Sequence, residues 1–330
     1  MNSSHRASTW RVLRAALSLV ALGCVSTATL AQSFPSRPVR WIIPFPPGGS
    51  ADLVSRAVAQ KLSDSLGQPV VVENRPGAGG AIGLDAVAKA APDGHTLGLG
   101  APGAVVVNVH MSKLPYDPLK DLYPVSRLAI VPVVLAANPS QPYANLREFI
   151  AFAKANPKKL SFGSTGTGSV QHLGGELLKV MAGIDMVHVP YKGSAPAASD
   201  LAGGQLAVAM IDLTSALPHI RSGRIRALAV AGSTRTVTAP DIATMAEQGL
   251  TGYDADGWLG MFGPANMPAD VVAKLNAETA RALQAADVRE RTLNSGAEPS
   301  SSSAEEFGRF VRAEHAKWGK LIREAGIKAE

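Results

Sequence analysis

At 330 residues, 46% of them apolar and 18% charged, the chain is long enough for two ordinary domains and apolar enough to give each a core. That excludes a disordered or low-complexity polypeptide. The formal charge of +6 falls to +3 without the three arginines of the first 31 residues (29 Lys and Arg against 26 Asp and Glu), too mild and too evenly spread a balance to argue for nucleic acid.

The N-terminus reads as a secretory signal. Arg6, Arg11 and Arg14 precede an apolar run over residues 15–25, and small residues follow, ending Ala28-Thr29-Leu30-Ala31, which places cleavage after Ala31. The run is well short of the roughly 20 residues that span a bilayer. Ala21-Leu22-Gly23-Cys24 also resembles a lipoprotein cleavage site, but its first position normally holds a larger aliphatic residue, so the later site is preferred. Cys24 is the single cysteine. The chain beyond the leader is therefore expected to be soluble, without a disulfide, and stabilised by its core alone.

Residues 39–100 alternate strand, helix, strand, helix, strand, over 39–45, 51–66, 70–74, 80–90 and 96–100. Such alternation predicts a parallel sheet with right-handed crossovers. Between the first strand and its helix lies Phe45-Pro46-Pro47-Gly48-Gly49-Ser50-Ala51-Asp52. Ser50 is a suitable N-cap, Asp52 suits the positive end of the helix dipole, and Gly48 and Gly49 let a ligand approach the backbone. Helix-start amides of this kind accept a carboxylate or phosphate. A second glycine turn, residues 74–80, follows the second strand, and a third, residues 100–103, the third strand. All three are expected along one carboxyl edge, where open α/β sheets bind ligands. Gly98-Leu99-Gly100-Ala101-Pro102-Gly103 matches G-x-G-x-x-G by spacing, yet it follows a third strand, holds a proline and leads into the β-branched run 105–107 instead of a helix, so dinucleotide binding is rejected.

Residues 125–137 read as one strand leaving the first domain, and a second alternating unit follows. Helix 146–156, strand 160–163 and helix 169–181 flank the turn Gly163-Ser164-Thr165-Gly166-Thr167-Gly168-Ser169, another hydroxyl- and glycine-rich helix start. Strand 186–190, the turn Tyr191-Lys192-Gly193-Ser194, a helix from Ala195, strand 207–211 ending at Asp212, helix 217–221 and strand 227–231 continue the unit. Residues 258–263 read as the return crossing, and two amphipathic helices, 269–286 and 304–325, close the chain.

No G-x-S-x-G, H-E-x-x-H or P-loop motif occurs. The histidines after the leader lack metal spacing, although His172 falls in the first turn of the second cradle helix. Two glycine cradles on two lobes, with no nucleophile, base or metal constellation, suggest capture of an anion without conversion of it.

The segments Pro47 to Asp52, Glu73 to Gly80, Phe162 to Ser169, His188-Val189-Pro190-Tyr191-Lys192-Gly193 and Trp258-Leu259-Gly260 together resemble the Bug family, the periplasmic solute receptors of tripartite tricarboxylate transporters. The resemblance runs in order through the chain beyond the leader. It implies a two-lobed α/β periplasmic binding protein of the Venus-flytrap, type II-like kind, its lobes (32–130 with 250–330, and 131–249) joined by crossing strands. It implies a small organic acid as ligand (a mono-, di- or tricarboxylate or an amino acid), a two-component membrane permease as partner, a monomer, and no cofactor, metal or catalytic residue. Carried over by motif, the ligand contacts are Pro46, Pro47, Gly48, Gly49, Ser50 and Asp52, with Ala78 and Gly79 nearby. On the second lobe they are Ser164, Thr165, Gly166, Thr167, Gly168 and Ser169, with Lys192, Gly193 and Asp212. Asp52 could alternatively serve only the helix dipole, Asp212 only cap the next helix, and Lys192 only be solvated. A sensory receptor docking on a membrane kinase needs the same clamp, and stands as the alternative. Valine at Gly48 or at Gly168 is expected to block the carboxylate's approach. The family's usual Asn after Gly80 is Ala81 here, which removes one polar contact behind the site.

Overall fold

A computed structural model describes residues 34–328, residue 158 excepted. The expected leader, its cleavage after Ala31 and Cys24 lie outside the described residues. From β1 (Val39–Ile43) the chain runs through α1 (Ser50–Leu66), β2 (Val70–Asn74), α2 (Ala81–Ala88) and β3 (Thr96–Gly100), in the predicted alternation. β1 pairs in parallel with β2 on one side and β3 on the other, Val39 opposite Val70 and Arg40 opposite Thr96. Val39, Trp41, Ile42 and Ile43 are fully buried, as the near-continuous apolar run of a strand covered on both faces requires. α1 buries Val54, Ala57, Val58 and Leu62 and ends at Gly67, whose left-handed φ of 69° lets its N–H close on the Ser63 carbonyl.

After β3, where a β-branched run was expected in place of a helix, the chain is helical. Gly103–Val107 makes one π-helical turn and Asn108–His110 a 3-10 turn. Val105, Val106 and Val107 have no exposed surface; burial on all sides overrides their strand propensity. The strand expected over residues 125–137 is two strands, β4 (Leu122–Val131) and β5 (Val133–Ala137), in different sheets. The break falls at Pro132, which has no N–H for a ladder.

The second sheet carries α3 (Leu146–Ala155), β6 (Ser161–Ser164), α4 (Val170–Ala182), β7 (Val187–Pro190), α5 (Ser194–Ala202), β8 (Val208–Asp212), α6 (Leu213–Arg221) and β9 (Arg226–Val230). α6 begins at Leu213 and not at residue 217. The chain then supplies β10 (Gly257–Pro264), α7 (Ala269–Gln284), α8 (Ala286–Asn294), β11 (Glu298–Pro299) and α9 (Ala304–Ala325). The helix expected over 269–286 ends at Gln284, where Ala285 takes an extended ψ of 135°, and a further helix follows it. α9 opens with a capping box between Ser303 and Glu306 and buries Phe307, Val311, Trp318, Leu321 and Ile322.

Strand order is β11-β4-β10-β3-β1-β2 in the first sheet and β7-β6-β8-β5-β9 in the second. β10 lies antiparallel between β3 and β4, with Met261 opposite both Leu99 and Ser126. In the second sheet β6 is parallel to β7 and β8, while β5 runs antiparallel to β8 and β9. The protein is thus two-lobed, one sheet to each lobe. A single buried apolar cluster passes through both, from Ile42 and Val106 to Leu173 and Phe307.

Candidate functional site

The loops at the carboxyl ends of β1, β2 and β3 and of β6 and β8 border one cleft of about 290 Å³. Phe45 and Ala51 come from the first turn, Gly79 from the second, and Ala101, Pro102, Gly103 and Ala104 from the third. Ser169, Val170, Gln171 and Asp212 come from the other lobe. Val131 and the segment 257–259, where the chain passes between lobes, complete it. The three turns of the first sheet do share an edge, as the parallel topology dictates.

In the first turn the flanks reach the cleft and the glycines do not. Pro46, Pro47, Gly48 and Gly49 are exposed, and none of them lines the cleft. Gly49, not Ser50, is the N-cap of α1, and the Ser50 hydroxyl donates to the Ser295 carbonyl at 2.5 Å. Asp52, 3% exposed, accepts the Gly48 N–H at 3.0 Å, Arg56 Nε at 3.0 Å and Asn74 Nδ2 at 2.9 Å. Burial pushes its carboxyl up, but the bonds from Arg56, Asn74 and Gly48 outweigh that and hold it below the ordinary value of 3.8. Asp52 therefore ties the turn to α1 and β2. Ala78, with a positive φ of 48°, precedes the cleft residue Gly79.

On the second lobe the turn is held from behind. Ser164 is fully buried; its Oγ accepts the Gly166 N–H at 3.1 Å and lies 2.6 Å from His188 Nε2. Such a Ser–His contact has the spacing of a nucleophile and its base, yet neither residue lines the cleft. The Gly168 N–H donates to His172 Nδ1 at 3.2 Å, and the His172 ring stacks on His188 with centroids 3.8 Å apart. Burial, then His188 and Lys179, push the His172 imidazole down to about 3, which keeps its Nδ1 lone pair available to Gly168. The amides of Gly166 and Gly168 are thus spent inside the lobe. Ser169 caps α4 by accepting the His172 N–H at 3.1 Å, and the first-turn amides of Val170 and Gln171 have no partner within the helix. Thr165 Oγ1 donates to Gln171 Oε1 at 2.8 Å, and the buried Thr167 Oγ1 has no partner among the described residues. Lys192 is exposed and away from the cleft; the Gly193 N–H donates to the Thr165 carbonyl at 3.3 Å.

Asp212 is the N-cap residue of α6, but its side chain makes no capping bond. Instead Ser194 Oγ donates to Oδ2 at 2.8 Å and Gln171 Nε2 donates to Oδ1. Burial pushes this carboxyl up; the bonds from Ser194 and Gln171 offset part of the rise. Of the seventeen residues expected at the site, Gly79, Ser169 and Asp212 line the cleft. The sequence reading passed over Gln171, whose place two residues after a hydroxyl N-cap is a signal for a helix-start site. The third turn, expected on the same edge, supplies residues 101–104, although none of them was named among the ligand contacts. Asn108 was missed as well: a Cβ at Gly79 would lie 2.7 Å from its Nδ2, and one at Gly168 3.1 Å from its Oδ1. This one side chain therefore stands between the two lobes. Among the described residues no cluster of His, Cys, Asp and Glu could hold a metal ion, and no helix is long and apolar enough to cross a membrane.

Residues 54–327 match the tripartite tricarboxylate transporter family receptor. Protein BugT of Bordetella pertussis is 41% identical over 312 residues, 94% of this chain and 95% of that one. A Rhodopseudomonas palustris protein solved with adipate is 36% identical with a TM-score of 0.76, over 89% of this chain and 99% of the other. MatC from Rhodopseudomonas palustris with bound malate is also 36% identical, with a TM-score of 0.72, over 88% of this chain and 100% of the other.

Proposed function

This chain belongs to the tripartite tricarboxylate transporter receptor family, and on that premise we propose that it captures a small organic acid outside the cytoplasm and delivers it to a two-component membrane permease. One observation carries the reading: Gly79, the 101–104 turn and the first turn of α4, contributed by both lobes, line one cleft. Unsatisfied helix-start amides and close backbone approach suit a carboxylate, and no lysine, arginine or histidine lines the cleft among the described residues. The relatives solved with adipate and malate support an acid as the ligand class. In this reading the leader directs export to the periplasm and is cut after Ala31. The lobes, residues 32–130 with 250–330 and residues 131–249, close on the ligand about their two crossings, and the receptor works as a monomer that turns nothing over.

A thermal-shift screen of residues 32–330, refolded to remove any co-purified ligand, tests it against amino acids, dicarboxylates, tricarboxylates and aromatic acids. A ligand at about 100 times its dissociation constant adds roughly 2.7 kcal/mol, an easily seen rise in Tm. A panel in which no acid of any class raises Tm would sink the reading.

A further inference from the structure

The charge inside the cleft has the wrong sign for a ligand that is solely an acid. Among the described residues lining it, Asp212 alone is ionisable; Ser169, Gln171 and the Trp258 indole are the other polar side chains. Asp212 is held in a relay: Thr165 Oγ1 donates to Gln171 Oε1, Gln171 Nε2 to Asp212 Oδ1, and Ser194 Oγ to Asp212 Oδ2. The Asp212 N–H also donates to Ser194 Oγ at 3.0 Å. A carboxylate oxygen can accept more than one hydrogen bond, and each here accepts one, so both keep capacity for a further donor. Desolvation pushes the titration of this carboxyl up, and among the described residues no ion pair offsets it.

Gln171 joins this group to the anion site. Its backbone amide belongs to the first turn of α4, where a carboxylate would sit, and its side chain grips Asp212. A place for a carboxylate and a carboxylate without a cation are therefore joined by one side chain. An α-amino acid carries the two complementary charges, a carboxylate and an ammonium, in one small molecule.

We propose that the ligand is a zwitterionic amino acid with an apolar side chain, its carboxylate on the first-turn amides of α4, its ammonium on Asp212, and its side chain against Phe45, Pro102, Val131 and Leu259. The proposal rests on the receptor reading above and narrows it. An acid without an ammonium brings a second negative charge beside Asp212, or has to bind together with a proton. A buried charge is tolerated when it is paired, and the amino acid supplies both members of that pair. The apolar lining gives no partner to a second carboxylate at the far end.

Isothermal titration of the mature protein with matched pairs decides this: L-leucine against 4-methylpentanoate, and L-phenylalanine against 3-phenylpropanoate, each pair differing only in the ammonium, with adipate as the dicarboxylate. The expected result is at least about tenfold tighter binding of one amino acid than of its des-amino partner and of adipate. Asp212→Asn, checked by a ligand-free melt, should weaken that amino acid on the order of 100-fold and leave the des-amino acid unchanged or tighter. The wild-type pairs stand as a test even if the variant folds poorly. Des-amino acids or adipate binding as tightly as the amino acids overturns the pairing and leaves the receptor reading intact; so does an Asp212→Asn variant that binds the amino acid as wild type does. Failure of every acid in these pairs and in the wider panel removes both.

Discussion

Asp52 and Asp256 are both carboxyls packed within the protein, and they titrate in opposite directions. Asp52 is surrounded by donors, so its charge contributes stability above its ordinary pKa of 3.8, lost as pH falls through a folded value lower still. Asp256, next to the crossing of the lobes, accepts the Val133 N–H at 2.9 Å. Burial pushes its carboxyl up to about 8; the Val133 N–H and Lys317 pull it back, and Asp254 and Glu298 add to the rise. The folded protein therefore keeps this proton between pH 3.8 and about 8 while the unfolded chain gives it up. Stability falls as pH climbs through that window and levels off above it. Asp256→Asn retains an acceptor for Val133 and removes the charge. The variant should melt with wild type near pH 4 and exceed it by about 2 kcal/mol above pH 8, or roughly 4–8 °C at the 2–4 °C per kcal/mol of a domain this size. Melts in a pH series check it, and a constant gap at all pH would contradict it.

At the scale of elements, the turns separate what the residues disclose from what packing decides. The alternation from β1 to β3 was legible because buried parallel strands write themselves as apolar runs between glycine turns. The 103–107 turn was not, because its valines owe their helical form to burial that no local pattern records. Two strands joined at Pro132 read as one for a similar reason: both halves are apolar, and only the tertiary fold assigns them to different sheets. At the site the helix starts were legible and their occupancy was not. Gly48 carries a φ of 90° and a Cβ there would meet nothing within 4 Å, whereas Gly168, at φ 76°, faces Asn108 and Met111. Valine at either position pays about 1–2 kcal/mol for a left-handed backbone. Gly168→Val should also lose the Tm gain that ligand confers, by pushing against Asn108 between the lobes and hindering their closure, and Gly48→Val should keep it. Thermal shifts with the best acid of the panel compare the two. Equal loss in both variants would restore Gly48 to the site.

For the molecule as a whole, the continuous apolar cluster running through both lobes predicts a single calorimetric transition, with calorimetric and van't Hoff enthalpies equal; two resolved peaks would show lobes that melt independently. The chain order has a further bearing, on synthesis. β10 sits in the middle of the first sheet, yet it is made after all of the second, so until residue 264 emerges β3 and β4 face a missing neighbour. A growing chain holds the earlier-encoded lobe with two unpaired edges until then, and long-range pairing of this kind is slow. Chains truncated before residue 257 should therefore stay protease-sensitive in both lobes, because the shared core lacks Trp258, Phe307 and Trp318. The position of one strand sets the moment at which the protein commits to its native state.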